Sequence, residues 1–149
     1  MFDQKTVITN IRAVVLYDSS TFAVHENYSP NLSCCELIYT LSGENTVNYD
    51  GRTITEKDDC IRYLPKGNRP KGSKYTVDII KPGQCIDVYF DTNSLDQKEM
   101  LFIDFYKNPS VRNMFIKMQK IWYSKRDGYY HKCMSLMYDI LSEIEQIDM

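Results

Sequence analysis

The sequence predicts a mainly β fold, an antiparallel barrel or sandwich, followed by a hairpin of two α-helices. Between residues 36 and 90, short runs of β-branched and aromatic residues alternate with Gly, Pro and Asp at intervals of about eight to twelve residues, which is typical of such sheets. After residue 107 the apolar residues recur at steps of three and four, the spacing of helices. A chain of 149 residues has the size of one domain with its own core.

Two turns organise the central strands. Asp50-Gly51 supplies the positive φ values of a two-residue hairpin, so residues 44–49 are predicted to pair with residues 52–55. Pro82-Gly83 has the composition of a type II turn between two further strands. The other predicted strands are residues 13–17, 22–25, 35–41, 60–64, 74–80, 85–90 and 100–106, and the start of the last of these could equally be helical.

The first helix is predicted to start at Asn108-Pro109, because asparagine caps helices and proline suits their first turn. Asp127 is predicted to cap the second helix, with Gly128 just inside it. The apolar residues that follow the first start at helical spacing are Val111, Met114, Phe115, Met118 and Trp122.

The second helix carries an apolar seam whose members step alternately by three and four residues. They are Tyr130, Cys133, Met137, Ile140, Ile144 and Ile147. Two interpretations are open: the seam packs the helical hairpin on the barrel, or part of it pairs with a second subunit.

Composition excludes several classes of protein. Hydrophobic residues at 43%, charged residues at 26% and a net charge of −2 are ordinary for a soluble globular protein and indicate no phosphate backbone or anionic membrane as partner. No run approaches the roughly 20 apolar residues of a membrane span, and the N-terminus does not resemble a signal peptide. Five cysteines without C-x-x-C spacing predict free thiols and a cytoplasmic location.

Residues that carry chemistry are sparse. The two histidines, His25 and His131, lie far apart, and no ligand spacing for a metal or glycine loop for a phosphate is present. We therefore expect no catalytic residue, no metal and no cofactor, which leaves binding of a small molecule in the barrel as the default function. Residues 107–132 hold seven Lys or Arg and one acid; this run predicts a solvated helix face or a surface for DNA or an acidic partner, without any helix-turn-helix pattern.

Several motifs resemble, in order and spacing, the N-terminal cupin-type domain of AraC-type transcription regulators. The barrel motifs are Glu36-Leu37-Ile38-Tyr39-x-Leu41-x-Gly43-Glu44, Tyr49-x-Gly51, Asp59-x-Ile61-x-Tyr63-Leu64-Pro65-Lys66-Gly67 and Pro82-Gly83-x-Cys85-Ile86-x-Val88-x-Phe90. The motifs similar to the family's interdomain helices are Ile121-Trp122-x-x-Lys125-x-x-Gly128-Tyr129-Tyr130-x-Lys132-Cys133 and Leu136-x-Tyr138-x-Ile140-Leu141.

The resemblance implies a cupin-like double-stranded β-barrel (jelly roll) over residues 11–106, preceded by an arm (1–10) and followed by a two-helix antiparallel hairpin (107–149). It implies a small-molecule effector, such as a sugar, in the barrel, and a homodimer formed through the hairpin. The family's DNA-binding helix-turn-helix half is absent from this chain, which is therefore expected to be a regulatory half rather than a stand-alone protein. Ligand in the barrel would shift the arm and the hairpin between arrangements.

One departure from the metal-binding members of the cupin family bears on activity. Those members carry two histidines in the strand near residues 37–41 and one after the Pro-x-Gly, whereas this strand has none and Pro70 stands after Gly67. The resemblance therefore implies neither metal nor isomerase or dioxygenase activity. An enzymatic cupin and a stand-alone cupin that binds another protein are the alternatives.

Strand parity and the resemblance together select candidate ligand contacts. Even-numbered residues of 36–42 share one face of their strand, as do odd-numbered residues of 85–89. Asp87 is the strongest candidate, because a charge on a barrel strand is costly unless it is paired or bound to ligand. By resemblance to sugar-sensing relatives, Ser42 and Cys85 join Asp87, and the set is completed by Glu36, Thr40, Arg62 and Tyr89. For each residue the alternative is a place in the wall or on the outer face.

Overall fold

The computed structural model describes residues 2–21, 25–27, 31–68, 75–93, 100–105 and 108–147. Within these ranges the strands are β1 (Ile8–Asp18), β2 (His25–Asn27), β3 (Asn31–Leu32), β4 (Cys35–Thr40), β5 (Glu44–Tyr49), β6 (Arg52–Glu56), β7 (Cys60–Leu64), β8 (Gly67–Asn68), β9 (Tyr75–Lys81), β10 (Gln84–Thr92) and β11 (Leu101–Asp104). The helices are α1 (Pro109–Ser124) and α2 (Tyr129–Ile147), and a short 3₁₀ turn spans Ser19–Thr21.

Two antiparallel sheets form the β part of the fold. The five-stranded sheet has the order β1-β10-β4-β7-β11, the four-stranded sheet has the order β2-β9-β5-β6, and β3 pairs with β8. The predicted fold class is confirmed: the chain is mainly β in a cupin-like arrangement, with two helices at its C-terminal end. Of the predicted strand at 22–25, residues 22–24 lie outside the described residues, and β2 begins at His25.

The five-stranded sheet is covered on both faces because side chains alternate along each strand. In β4, Leu37 and Tyr39 point to the helices, whereas Ile38 belongs to a second core that includes Val47 and Val77 of the other sheet. We call the two sides of this sheet the helix face and the cavity face. The helix-face residues of β10, by the same alternation, are Ile86, Val88 and Phe90.

The two helices complete the larger core on the helix face. From α1, Val111, Phe115 and Met118 are fully buried there. From α2, the buried residues are Cys133, Met137, Ile140, Leu141 and Ile144. Among the described residues, neither helix is long and apolar enough to cross a membrane.

Most of the apolar seam of α2 therefore packs within the chain, as the first of the two interpretations predicts. Cys133, Met137, Ile140 and Ile144 each have 0% of their surface exposed within a single chain, so they offer no area to a second subunit. Two other members of the seam differ: Tyr130 is half-buried, and its hydroxyl donates a hydrogen bond to Asn10 Oδ1 at 2.8 Å, while Ile147 is exposed. A dimer contact would need residues outside the buried part of the seam.

The hairpin prediction at Asp50-Gly51 is confirmed. Asp50 and Gly51 have φ values of 47° and 79°, as a type I′ turn requires, and Tyr49 pairs with Arg52 across it. The remaining pairs extend the register along β5 and β6.

The prediction of a type II turn at Pro82-Gly83 is wrong. Gly83 is not among the residues with positive φ, and β9 and β10 on either side of it lie in different sheets. The glycine is needed for space instead, because a Cβ there would lie 2.0 Å from the carbonyl oxygen of Ser42. Gly43 shares this crossing point; it has a φ of 94° and a Cβ on it would lie 2.6 Å from the carbonyl oxygen of Lys81.

The N-terminal arm is shorter than the sequence predicts. β1 starts at Ile8, inside the predicted arm, because this segment pairs along β10 as far as Thr92. The preceding residues pack on the helix face: the ring of Phe2 lies 4.9 Å from that of Tyr63 and 6.4 Å from that of Phe90. The backbone N–H of Ile8 donates to the hydroxyl of Tyr138 at 2.9 Å, which ties the arm to α2.

Of the two predicted helix caps, one is confirmed and the other is wrong. Asn108 caps α1 as predicted, since its side chain accepts a hydrogen bond from the N–H of Val111. Asp127 does not cap α2. That helix begins at Tyr129, and Gly128, with a φ of 82°, holds the cap position because its carbonyl accepts the first helical hydrogen bond, from Lys132.

One polar cluster fixes α1 to the end of β4. Arg112 donates hydrogen bonds to the carbonyl of Leu41 at 2.9 Å and to Asp59 Oδ1 at 3.2 Å, and the Tyr39 hydroxyl donates to the same Asp59 oxygen. The Tyr39 ring stacks on Phe115 of α1 with centroids 4.7 Å apart. The helix is thereby held to β4 by charge as well as by burial.

Replacement of Gly83 by alanine should lower the free energy of unfolding by about 1–3 kcal/mol, because the added methyl group overlaps a backbone carbonyl that is fixed by both sheets. Urea titration of the purified chain measures this. Pro82→Ala at the exposed neighbouring position is the control, and an equal loss in both variants would contradict the steric explanation.

Arg112→Met should cost about 1 kcal/mol, since the hydrocarbon contact is kept while two hydrogen bonds from a half-exposed cation are lost. Lys117→Met, at an exposed site of the same helix, should change the free energy of unfolding by less than half as much. Equal effects would show that the polar cluster contributes no stability.

Candidate ligand-binding site

A cavity of about 370 Å³ lies between the two sheets, beside the crossing point of Gly43 and Gly83. Six of the strands supply its walls: β1, β4, β5, β7, β9 and β10. The lining residues are Tyr17, Ser19, Glu36, Ile38, Thr40, Ser42, Asn45, Arg62, Leu64, Val77, Ile79, Gly83, Gln84, Cys85, Asp87 and Tyr89. Its volume is in the range of small-molecule sites.

All seven residues predicted as ligand contacts line this cavity: Glu36, Thr40, Ser42, Arg62, Cys85, Asp87 and Tyr89. They converge because β4, β7 and β10 are neighbours in one sheet and each turns the same parity of residue toward the other sheet. Their role in binding stays a prediction, but their common location is a property of the fold.

Arg62 is the buried cation of this wall. It is 5% exposed, and its Nε lies 3.3 Å from Oε2 of Glu56, which is itself 2% exposed. Its Nη1 donates to the hydroxyl of Tyr75, over whose ring the guanidinium carbon lies at 5.6 Å. The positive charge is therefore balanced by a carboxylate from β6, a partner that no sequence pattern indicated.

Asp87 lies on the same wall and is 7% exposed. Burial raises its pKa well above the usual range, and a hydrogen bond with Glu36 and the charge of that residue raise it further. The thiol of Cys85 donates to Asp87 Oδ1 at 3.3 Å, and together with the attraction of Arg62 this opposes the shift more weakly. Asp87 thus holds its proton more readily than an exposed aspartic acid would.

Cys85 and Tyr89 have raised pKa values. Burial is the main cause that raises the pKa of the Cys85 thiol and that of the Tyr89 phenol, and neighbouring carboxylates add to both shifts. Both side chains are consequently neutral at ordinary pH. The hydroxyl of Tyr89 lies 3.1 Å from that of Tyr17, a lining residue of β1 that sequence analysis missed.

The end of the cavity beside the crossing point is held by hydrogen bonds to its backbone. Ser19 Oγ donates to the carbonyl of Gly83 at 2.8 Å and accepts from the N–H of the same residue at 2.7 Å. Ser42 Oγ accepts from the N–H of Gln84 at 3.0 Å. Ser42, predicted as a ligand contact, therefore also supports the strand crossing.

Thr40 differs from the other polar residues of the wall. It is 3% exposed, yet its hydroxyl makes no hydrogen bond to any residue that the structure describes. Across the cavity, Val77 and Ile79 of β9 present an apolar surface. One wall is thus polar and charged and the other apolar, the usual composition of a site for a small organic molecule.

Metal ligands do not assemble in the described part of the chain. No group of three or more His, Cys, Asp or Glu able to hold a metal ion occurs there. His131 is exposed on α2, and the side chain of His25 and residue Pro70 lie outside what the structure describes.

Part of the basic run of residues 107–132 is engaged within the hairpin. The ammonium of Lys125 lies 3.9 Å from the ring centroid of Trp122 and 4.5 Å from that of Tyr129. A small surface hollow of about 230 Å³ beside it is lined by Lys120, Ile121, Ser124, Arg126, Asp127, Tyr129 and Lys132.

Fold and cavity together define a cupin-like domain with a ligand-sized site and a C-terminal helical hairpin. Among solved structures, it is similar to ToxT from Vibrio cholerae strain SCE256. The apo K231A form has 11% identity and a TM-score of 0.64 over 89% of this chain and 55% of ToxT. The wild-type form with bound unsaturated fatty acid has 10% identity and a TM-score of 0.57 over 87% of this chain and 53% of ToxT.

An RmlC-like cupin from Shewanella frigidimarina matches with 16% identity and a TM-score of 0.41 over 57% of this chain and 69% of that protein. No protein-family model and no curated protein sequence matches the chain. The chain spans about half the length of ToxT, and at these identities the likeness is one of fold.

Asp87→Asn should make the free energy of unfolding less dependent on pH. The folded chain binds the Asp87 proton more tightly than the unfolded chain, so the stability from this group falls as pH rises above about 4 and levels off beyond the folded-state pKa. The free energy of unfolding of the variant minus that of the parent should therefore be larger at about pH 8 than at about pH 5.

Urea titrations at several pH values measure this difference. Asp139→Asn, on the exposed side of α2, should leave the pH profile unchanged. If the free energies of unfolding of Asp87→Asn and the parent changed equally with pH, the buried carboxyl would have an ordinary pKa.

Proposed function

We propose that this chain is the ligand-sensing and dimerisation domain of an AraC-type transcription regulator. It binds a small polar molecule between its sheets and passes the change to a DNA-binding half outside this chain. The observation that carries the proposal is the cavity with its charged wall, in a fold similar to that of ToxT. ToxT is an AraC-family regulator, and one of its structures contains an unsaturated fatty acid.

The effector of this chain is proposed to differ from that of ToxT in charge. A fatty acid would bring its carboxylate toward Glu36 and Asp87, and the nearby cation, Arg62, already lies 3.3 Å from Glu56. The hydroxyl, thiol and carboxyl groups of the wall suit a ligand that offers hydrogen-bond donors. A sugar, which the sequence resemblance implies, is one such class.

The route of the signal is proposed to run through β4 and β10, because each contacts the cavity on one face and the helices or arm on the other. Thr40 lines the cavity, while its neighbour Tyr39 stacks on Phe115 of α1. Asp87 and Tyr89 line the cavity, while Phe90 contacts Phe2 of the arm. A ligand that shifts either strand would alter both attachments, which biases the arrangement of the helical hairpin.

Dimerisation belongs to the same proposal and would use the exposed surface of the hairpin. Apolar side chains available there include Tyr123, 59% exposed, and Ile147, 51% exposed. The partner would be a second copy of this chain, and DNA would be contacted only by the half that is absent here.

We further propose that the chain binds without turnover. The support is the protonated state of Cys85 and Tyr89, whose raised pKa values leave neither a thiolate nor a phenolate as nucleophile in the cavity. The alternative, an enzymatic cupin, predicts a rise in melting temperature with zinc, iron or nickel ions, whereas the sensor predicts a rise with an organic effector alone.

Filling the cavity should abolish effector binding. Thr40→Phe places a ring in the cavity, so compounds that raise the melting temperature of the parent chain should no longer do so. Thr53→Phe, at an exposed position of β6, is the matched control and should keep the response. A retained response in Thr40→Phe would place the ligand elsewhere.

Coupling to dimerisation is tested separately. The chain can be fused to a DNA-binding domain that binds its operator only as a dimer, and operator binding measured with and without the effector. A change in operator affinity on adding the effector supports the regulator; unchanged affinity, with binding still visible by thermal shift, would leave a ligand-binding protein without regulatory output.

A further inference from the structure

We infer that the cavity selects a ligand that carries a positively charged nitrogen, held as an ammonium group between Glu36, Asp87 and Thr40. The inference rests on the proposed function in that it uses the same cavity, and it specifies the class of molecule that enters. Its basis is the arrangement of acceptors on one wall and the balance of charge among the described residues.

The register of β4 and β10 brings the three residues together. Tyr89 lies opposite Glu36 and Cys85 lies opposite Thr40, so Asp87 is diagonal to both Glu36 and Thr40 on the cavity face. Diagonal side chains on one face of a sheet are within reach of each other when they are long, and Glu36, Thr40 and Asp87 all line the cavity. Asp87 thus lies between Glu36 and Thr40 on one wall of the cavity.

The wall at that point carries more acids than cations. Among the described lining residues, Glu36 and Asp87 are acids and Arg62 is the cation. Arg62 is matched by Glu56, at 3.3 Å, outside the lining. Carboxyl groups therefore outnumber cations on this wall. Without a ligand the raised pKa of Asp87 limits their charge, and a bound cation would take the place of that proton.

Thr40 supplies an independent indication. Thr40 as a residue is 3% exposed and lines the cavity, and its hydroxyl makes no hydrogen bond within the described part of the chain. Buried hydroxyls in proteins are ordinarily hydrogen-bonded, so this one is available to a ligand. A hydroxyl beside two carboxyl groups completes a set of three acceptors.

A primary ammonium group has three N–H donors and a single positive charge, which matches three acceptors and an excess of carboxylate. The apolar surface of Ile38, Val77 and Ile79 would receive the carbon skeleton of the same molecule. A neutral alcohol offers one donor and no positive charge. A carboxylate repels both acids.

Two series of matched probes test the inference: n-hexylamine, hexan-1-ol and hexanoate, and glucosamine, glucose and glucuronate. Dissociation constants are measured by calorimetry on the whole chain at neutral pH. In each series the amine should bind at least tenfold more tightly than the neutral compound, and the acid should bind most weakly.

Variants locate the effect. Asp87→Asn should remove most of the preference for the amine, measured as the ratio of the dissociation constants of the neutral compound and the amine, and Glu36→Gln should do the same by an independent route. Asp139→Asn, exposed on α2, should leave the preference intact.

Three outcomes are informative. Tighter binding of the amines, lost in the two variants, supports the inference. Binding of hexan-1-ol, glucose or an acid as tightly as the amines overturns it and leaves the cavity as an effector site of another class. Binding of none of the six compounds overturns the inference and also removes its support from the proposed function.

Discussion

The two-residue side-chain period of β4 and β10 is the constraint on which the rest of the structure depends. Because alternate residues point to opposite faces, one strand contributes Tyr39 to the helix-packing core and Thr40 to the cavity. A shift of either strand by one residue would exchange the two sets and bury carboxylates against the helices. Ligand site and helical hairpin are therefore the two sides of one sheet, and a movement of that sheet reaches both.

The charged wall of the cavity works against the stability of the fold. Asp87 is buried next to Glu36, and burying such groups without full compensation costs free energy. Arg62 reduces the cost only in part, because Glu56 shares its charge. The proposed ligand would offset part of that cost. The glycine crossing beside it is the opposite case, since Gly83 is fixed by close packing and by hydrogen bonds to Ser19.

Local rules predicted what depends on local chemistry. The turn at Asp50-Gly51 depends on two neighbouring residues that adopt positive φ, and the shared face of the cavity residues depends on the strand period. Both could therefore be predicted from the sequence. The crossing at Gly83 could not, because it depends on the carbonyl of Ser42, distant in the chain. Likewise the partner of Arg62, Glu56, comes from a strand whose register no motif fixes. The spacing of the apolar seam of α2 is compatible with packing on the barrel and with pairing to a second subunit, and only the position of the sheet in the structure distinguishes the two.

Hydrogen exchange of backbone amides tests the central claim most directly, that the cavity and the helical hairpin are coupled through β4 and β10. Exchange would be followed by mass spectrometry with and without the tightest-binding compound of the two probe series. We predict slower exchange in β4 and β10 and a change in α1 and the first residues of β1, which all contact the helix face. Slower exchange confined to the strands that line the cavity, with α1 and β1 unaltered, would contradict the coupling.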